Sequence, residues 1–164
     1  MRAWAWHWAV GPSILESVDE PIPIKPHHLI DILRDFGRGQ RTFAPHPYGH
    51  AVHLVAAHLR EHRDAEIRIE LGADGICAPC VHNSAGTCDD TIDTSFRPAA
   101  PSAKGDWNLL LDRRWCERLG LAQGDRLTVG QFCRRVRRRA GDLRGIYREE
   151  PSDRTAARDA DLWR

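Results

Sequence analysis

Ala65-Glu66-Ile67-Arg68-Ile69-Glu70-Leu71-Gly72-Ala73-Asp74-Gly75-Ile76-Cys77-Ala78-Pro79-Cys80, running on to Cys88, is the stretch on which the fold reading turns. Ile67, Ile69 and Leu71 alternate with Arg68 and Glu70, the period of a strand with one buried face. Gly72 closes that strand and a cysteine loop follows, with Cys77, Cys80 and Cys88 spaced C-x2-C-x7-C. Two cysteines two residues apart turn both sulfurs toward one point, because the turn between them brings the chain back on itself. Gly75 and Gly86 supply the backbone freedom such a turn needs, while Pro79 stiffens it and removes an N–H. A third thiolate closes three corners of a tetrahedral ion site or of a cubane cluster.

Upstream of this loop, residues 20–25 carry Ile22 and Ile24 alternating around prolines, the pattern of an extended edge segment. Pro26 suits the first turn of a helix, on which Leu29, Ile32, Leu33 and Phe36 share one face and Gly37-Arg38-Gly39 ends the run. His27, His28, Asp31 and Asp35 share the other face. A second helix is expected over residues 48–63, with Val52, Val55, Ala56 and Leu59 as its apolar stripe and His50 and His53 roughly opposite. Downstream, a stretch containing Pro and Ser leads to two more helices. These are residues 112–119, stopped by Gly120, and residues 129–147.

Trp4, Trp6 and Trp8 alternate at period two, so residues 1–20 read as a Trp-rich N-terminal arm pinned by its indoles to the core or a partner. Residues 21–147 read as a metal-binding core domain, and residues 148–164 as a charged, flexible tail. The expected fold is α+β: a helix-rich single domain with a few short strands and a metal-binding cysteine loop.

A chain of 164 residues has room for one such domain, and 41% apolar with 29% charged residues is the make-up of a folded one. Lys and Arg number 24 against 23 Asp and Glu, so no net field draws the protein to nucleic acid or membrane. The apolar runs are too short to span a bilayer, and the N-terminus lacks the h-region of a signal peptide. A cytoplasmic protein follows as the expectation. There thiols stay reduced, so five cysteines in a tight pattern read as ligands before disulfides. Arg134, Arg135, Arg137, Arg138 and Arg139 read as a solvated helix flank, with no aromatic-interleaved nucleic-acid motif beside them. Glycine-rich phosphate loops and a nucleophile elbow are absent.

Thiolate-rich donor sets select zinc or iron–sulfur, and either needs a fourth ligand. Cys133 shares the inward face of its helix with Val136, Ala140 and Leu143, which makes it the best cysteine candidate. Its bland reading, and that of Cys116 beside Trp115, is a small buried hydrophobe. For zinc, His82 or a helix histidine serves equally. Seven of the nine histidines fall between positions 27 and 62. His27, His28 and His50 are the candidate catalytic groups among them, as ligands or as general acids and bases facing the loop.

The order His27-His28-Leu29, then Asp74-Gly75-Ile76-Cys77-Ala78-Pro79-Cys80 and Cys88, resembles a domain-of-unknown-function family of small bacterial and archaeal proteins regarded as iron–sulfur binders. The resemblance covers roughly residues 22–136, including Leu111-Asp112-Arg113-Arg114 and Leu119-Gly120-Leu121. It implies a ligand role for Cys77, Cys80 and Cys88. The family reads His-His-Leu-Leu-Cys where this chain has Asp31, so Asp31, Cys133 or an open iron stands at the fourth corner. The function expected is a four-iron cluster. It would serve electron transfer if closed, or catalysis near the histidines if one iron is open. A zinc-stabilised interaction module is the alternative. The partners implied are a redox protein or a small-molecule substrate.

Overall fold

The computed structural model describes residues 20–163. The tryptophan arm assigned to residues 1–20 therefore lies outside the described residues, Glu20 excepted. In chain order the elements are β1 (Ile22–Ile24), α1 (Pro26–Gly37), α2 (Val52–Glu61), β2 (Glu66–Ile69), β3 (Asn83–Ser84) and β4 (Thr87–Cys88). They continue with α3 (Lys104–Leu119), β5 (Arg126–Thr128), α4 (Val129–Arg139), a 3-10 turn at Leu143–Gly145 and α5 (Ser152–Leu162). The class is α+β, as the periodicities predict.

β1, β2 and β5 form one small sheet in that order, β1 parallel to β2 and β5 antiparallel to it. The register sets Ile22 beside Ile67, Ile24 beside Ile69 and Leu127 beside Ile67, so one face of the sheet is a continuous aliphatic layer. All five side chains are buried. β1 sits at the edge, where its Pro23 costs no central ladder bond.

α3 is longer than the sequence reading allowed. It begins at Lys104, and Trp107, Leu111, Trp115 and Leu119 bury one stripe at four-residue spacing. Gly120 ends it in the left-handed conformation, with φ 64°. α4 is shorter than residues 129–147: it stops at Arg139, and Gly141 (φ 55°) turns the chain into the 3-10 segment.

The tail is the clearest correction. Residues 152–162 form a helix that packs on α1, where a frayed segment was expected. Glu150, 8% exposed, is held by Arg97 at 3.0 Å and Arg158 at 2.9 Å. Arg158 also lies over the Tyr147 ring, and Arg38 of α1 reaches Asp161 at 3.0 Å. Charges that look solvated in one dimension have partners supplied from distant elements. Among the described residues no helix is long and apolar enough to cross a membrane.

Candidate metal centre

The start of α1 has an unusual anchorage. Lys25 precedes it without a capping side chain, and two carboxylates from elsewhere take its first amides. Asp74 Oδ2 accepts from Lys25 N at 2.8 Å, and Asp112 Oδ1 accepts from His27 N at 2.9 Å. The helix entry is thereby tied to the cysteine loop on one side and to α3 on the other.

Asp74 is 1% exposed and fully engaged. Oδ1 accepts from the amides of Ile76 at 3.1 Å and Cys77 at 2.9 Å, the local turn that shapes the loop. Oδ2 lies 2.8 Å from His28 Nδ1. Burial by itself would raise this carboxyl, but His28 and the backbone N–H groups override it and hold Asp74 far below the usual carboxylate range. Burial likewise works against the His28 imidazolium, and Asp74 outweighs it, so the imidazole stands above its ordinary value. With Nδ1 facing a carboxylate, Nδ1 carries the proton and Nε2 is the nitrogen left to bind a metal.

Cys77 completes a compact group: one ligand atom each from His28, Asp74 and Cys77 lie within 4.8 Å of one another. Lys25 Nζ approaches the Cys77 sulfur at 3.6 Å. Burial, and then the negative charge of Asp74, push this thiol up to about 12. A coordinated cation ionises such a thiol outright.

The other two sulfurs follow from the loop's turns. Cys80 N donates to Cys77 O at 2.9 Å, and Asn83 N donates to Cys80 O at 3.0 Å. Beyond them β3 and β4 form a tiny hairpin that sets Cys88 opposite Asn83, with Ala85 (φ 48°) and Gly86 (φ 87°) in its turn. His82 N donates to the Cys80 sulfur at 3.4 Å. Lys104, paired with Asp90 at 2.7 Å, brings its charge to bear on Cys88. Each of the three sulfurs thus faces a cation or an N–H donor. Gly105 permits this approach, since a Cβ there would sit 3.0 Å from Cys88 O.

Residues 46–51 wall the loop. Val81 N donates to Tyr48 O at 2.9 Å, Ala51 N to Ile76 O at 3.0 Å, and the Tyr48 and His82 rings are 4.6 Å apart. His46 and His50 stack in parallel at 4.0 Å. Burial, then the charges of His46, Lys104 and His28, lower the His50 imidazole to about 4.

Among the residues singled out from sequence, the fold brings His28 to Cys77, with Cys80 and Cys88 on the same loop and His50 beside them. His27, Asp31 and Cys133 are placed elsewhere. His27 is buried between α1 and α3, with Nδ1 2.8 Å from Asp112 Oδ1. Asp31 pairs with Arg34 at 2.9 Å and Arg158 at 3.7 Å, at the contact of α1 with α5. Cys133, its thiol raised by burial, lines a cleft beside Leu33 and Phe36. Lys25 and the role of Asp74 were not read from sequence. The Asp-Gly-Ile-Cys order, an aspartate before a turn, was the available signal for the second.

No family model, curated protein or solved structure matches this chain. What the centre can do rests on its own chemistry. The gathered group offers one imidazole, one carboxylate and one thiol; thiol and imidazole donors suit zinc and iron–sulfur groups and poorly suit calcium or magnesium. Asp74, with both oxygens already accepting, stands behind His28 as the group that aims it.

Proposed function

We propose that this protein carries a metal centre on Cys77, Cys80 and Cys88 with His28 as the fourth ligand, and that the group is a four-iron cluster used for electron transfer. The observation that carries the reading is the Asp74–His28–Cys77 arrangement: a buried carboxylate fixes the imidazole against a loop cysteine, with the ligand atoms within 4.8 Å. A carboxylate–histidine couple beside a thiol is the kind of arrangement that supports a metal ligand. The iron–sulfur assignment is supported by the count of three thiols carried on one short loop.

When bound, the group supplies a one-electron carrier. The chain's own residues do the rest. Lys25, Lys104 and the His82 amide place positive charge and hydrogen bonds toward the sulfurs, which favours the reduced form. Four protein ligands close the centre, so the reading is electron transfer with a redox partner, in the cytoplasm, and not catalysis at an open iron. A zinc-stabilised module is the second reading, favoured by how tightly His28 and Cys77 approach, as ligands of one ion do.

Protein purified without oxygen should be brown, with iron and acid-labile sulfide in equal amounts. A colourless preparation containing zinc would replace the first reading by the second. His28→Ala should lose most of the metal, while Asp31→Ala and Cys133→Ala should retain it. Full iron content in His28→Ala, or its loss in either of the others, would overturn the ligand assignment.

A further inference from the structure

Away from the cysteine loop, α1, α2, α4 and the end of α5 enclose an open cleft of about 1140 Å³. Its floor is apolar, formed by Leu33, Phe36, Cys133 and Leu162, all only partly covered by the core they pack against. Its two rims are cationic. Arg41 stands in the loop before α2, Arg60 on α2 and Arg63 just after it, and Arg134 and Arg137 stand on α4. Asp64 is the one acidic side chain in the lining.

These arginines differ from their neighbours on α4. Arg135 and Arg139 donate to the Leu119 carbonyl, and Arg135 also to that of Gly120, so they cap the end of α3. Arg118 returns the favour to the Ala140 carbonyl. Arg63, Arg134 and Arg137 have no carboxylate partner among the described residues, whereas Arg60 pairs with Glu61. Within the basic run of α4, Arg135 and Arg139 are therefore structural caps, Arg134 and Arg137 line the cleft, and Arg138 lies outside it.

We infer that this cleft is a docking groove for an acidic amphipathic helix of a partner protein. Charge complementarity selects the occupant. An apolar floor between two cationic rows matches a helix with an apolar stripe and carboxylates on both flanks. A single-headed acyl carboxylate would satisfy one arginine and leave the others facing each other across the cleft. The inference does not rest on the metal centre, whose residues lie outside the cleft.

The test uses the full chain and a fluorescein-labelled synthetic helix of about 18 residues, carrying Leu at i, i+3, i+4 and i+7 with Glu on both flanks. Fluorescence anisotropy should show saturable binding, and the same peptide with Lys for Glu should not bind. The double variant Arg63→Glu, Arg134→Glu should weaken binding by about tenfold or more, a change of about 1.4 kcal/mol or more. Arg113→Glu, exposed on α3, should leave it unchanged. Bound peptide should slow alkylation of Cys133, read by peptide mass mapping. Equal binding of the Lys peptide, undiminished binding by the double variant or displacement by palmitate would overturn the proposal. So would an unchanged alkylation rate at Cys133, as when the chain's own residues 1–19 fill the groove.

Discussion

At the scale of single residues, the protein contains two neighbouring carboxylate–imidazole couples with different tasks. Asp74 and His28 face the cysteine loop, whereas Asp112 and His27 are buried between α1 and α3. The His27 and His28 rings are only 4.3 Å apart, yet point into different surroundings. Asp74→Asn should weaken metal retention by about 10–100-fold in chelator competition, since the amide cannot hold the imidazole proton as the carboxylate does. Asp112→Ala should leave metal content per folded molecule intact. It should lower stability to urea by about 3 kcal/mol, because it strands the buried His27 amide and ring nitrogen. Asp112 Oδ2 already lacks a partner, so the bond through Oδ1 carries the contact.

At the scale of elements, local chemistry and tertiary fit can be separated. The Thr128 hydroxyl accepts from Gln131 N at 3.1 Å while Gln131 Oε1 accepts from Thr128 N at 2.8 Å, a reciprocal cap on α4. Thr128→Ala should cost about 1 kcal/mol in urea unfolding, without touching the metal. Gly49 is a tertiary case. Its φ is 77°, and a Cβ there would lie 3.0 Å from Pro79 O, so only glycine lets residues 46–51 close on the cysteine turn. Gly49→Ala should destabilise by about 1 kcal/mol or more from the backbone alone and should also accelerate metal loss to a chelator. Stability loss with unchanged release would show that this wall does not hold the loop.

At the scale of the whole molecule, ion pairs join the chain's end to its middle. Arg114 of α3 grips Glu149 with two bonds of 2.7 Å, and the same guanidinium reaches Ile146 O. The hydrogen bonds from Arg114 hold the Glu149 carboxyl below its ordinary value. A carboxyl depressed by folding stabilises fully above its unfolded pKa of about 4.3 and loses that contribution as pH falls through the folded value. Thermal melts of the parent and Glu149→Gln should therefore differ most near neutrality. The gap should shrink steadily below about pH 4, as the carboxyl takes up its proton. A gap that persists in acid would assign the effect to packing.

Much of the architecture was legible because it is local. Ile67 and Ile69 alternate with charges, Leu29, Ile32 and Phe36 recur at helical spacing, and Pro26 and Gly120 mark helix ends. The turns that carry Cys77, Cys80 and Cys88 are likewise written in a short run of chain. The start of α3 was also legible, since Trp107, Leu111, Trp115 and Leu119 recur at four-residue spacing, although the helix was expected only from residue 112. The end helix was missed because the partners of Glu150 and Asp161 lie far away in sequence.

The cysteine loop was determined by sequence, since the turns through Cys77 and Cys80 close on their own backbone groups whatever surrounds them. Which side chain meets it was decided by tertiary structure. Asp31 and His28 sit on the same helix, but the anchoring of the helix entry to Asp74 and Asp112 turns His28 toward Cys77 and Asp31 toward Arg158 of α5. Helical rotation about its own axis costs nothing in sequence pattern. Contacts between segments 49 and 85 residues apart are what set it.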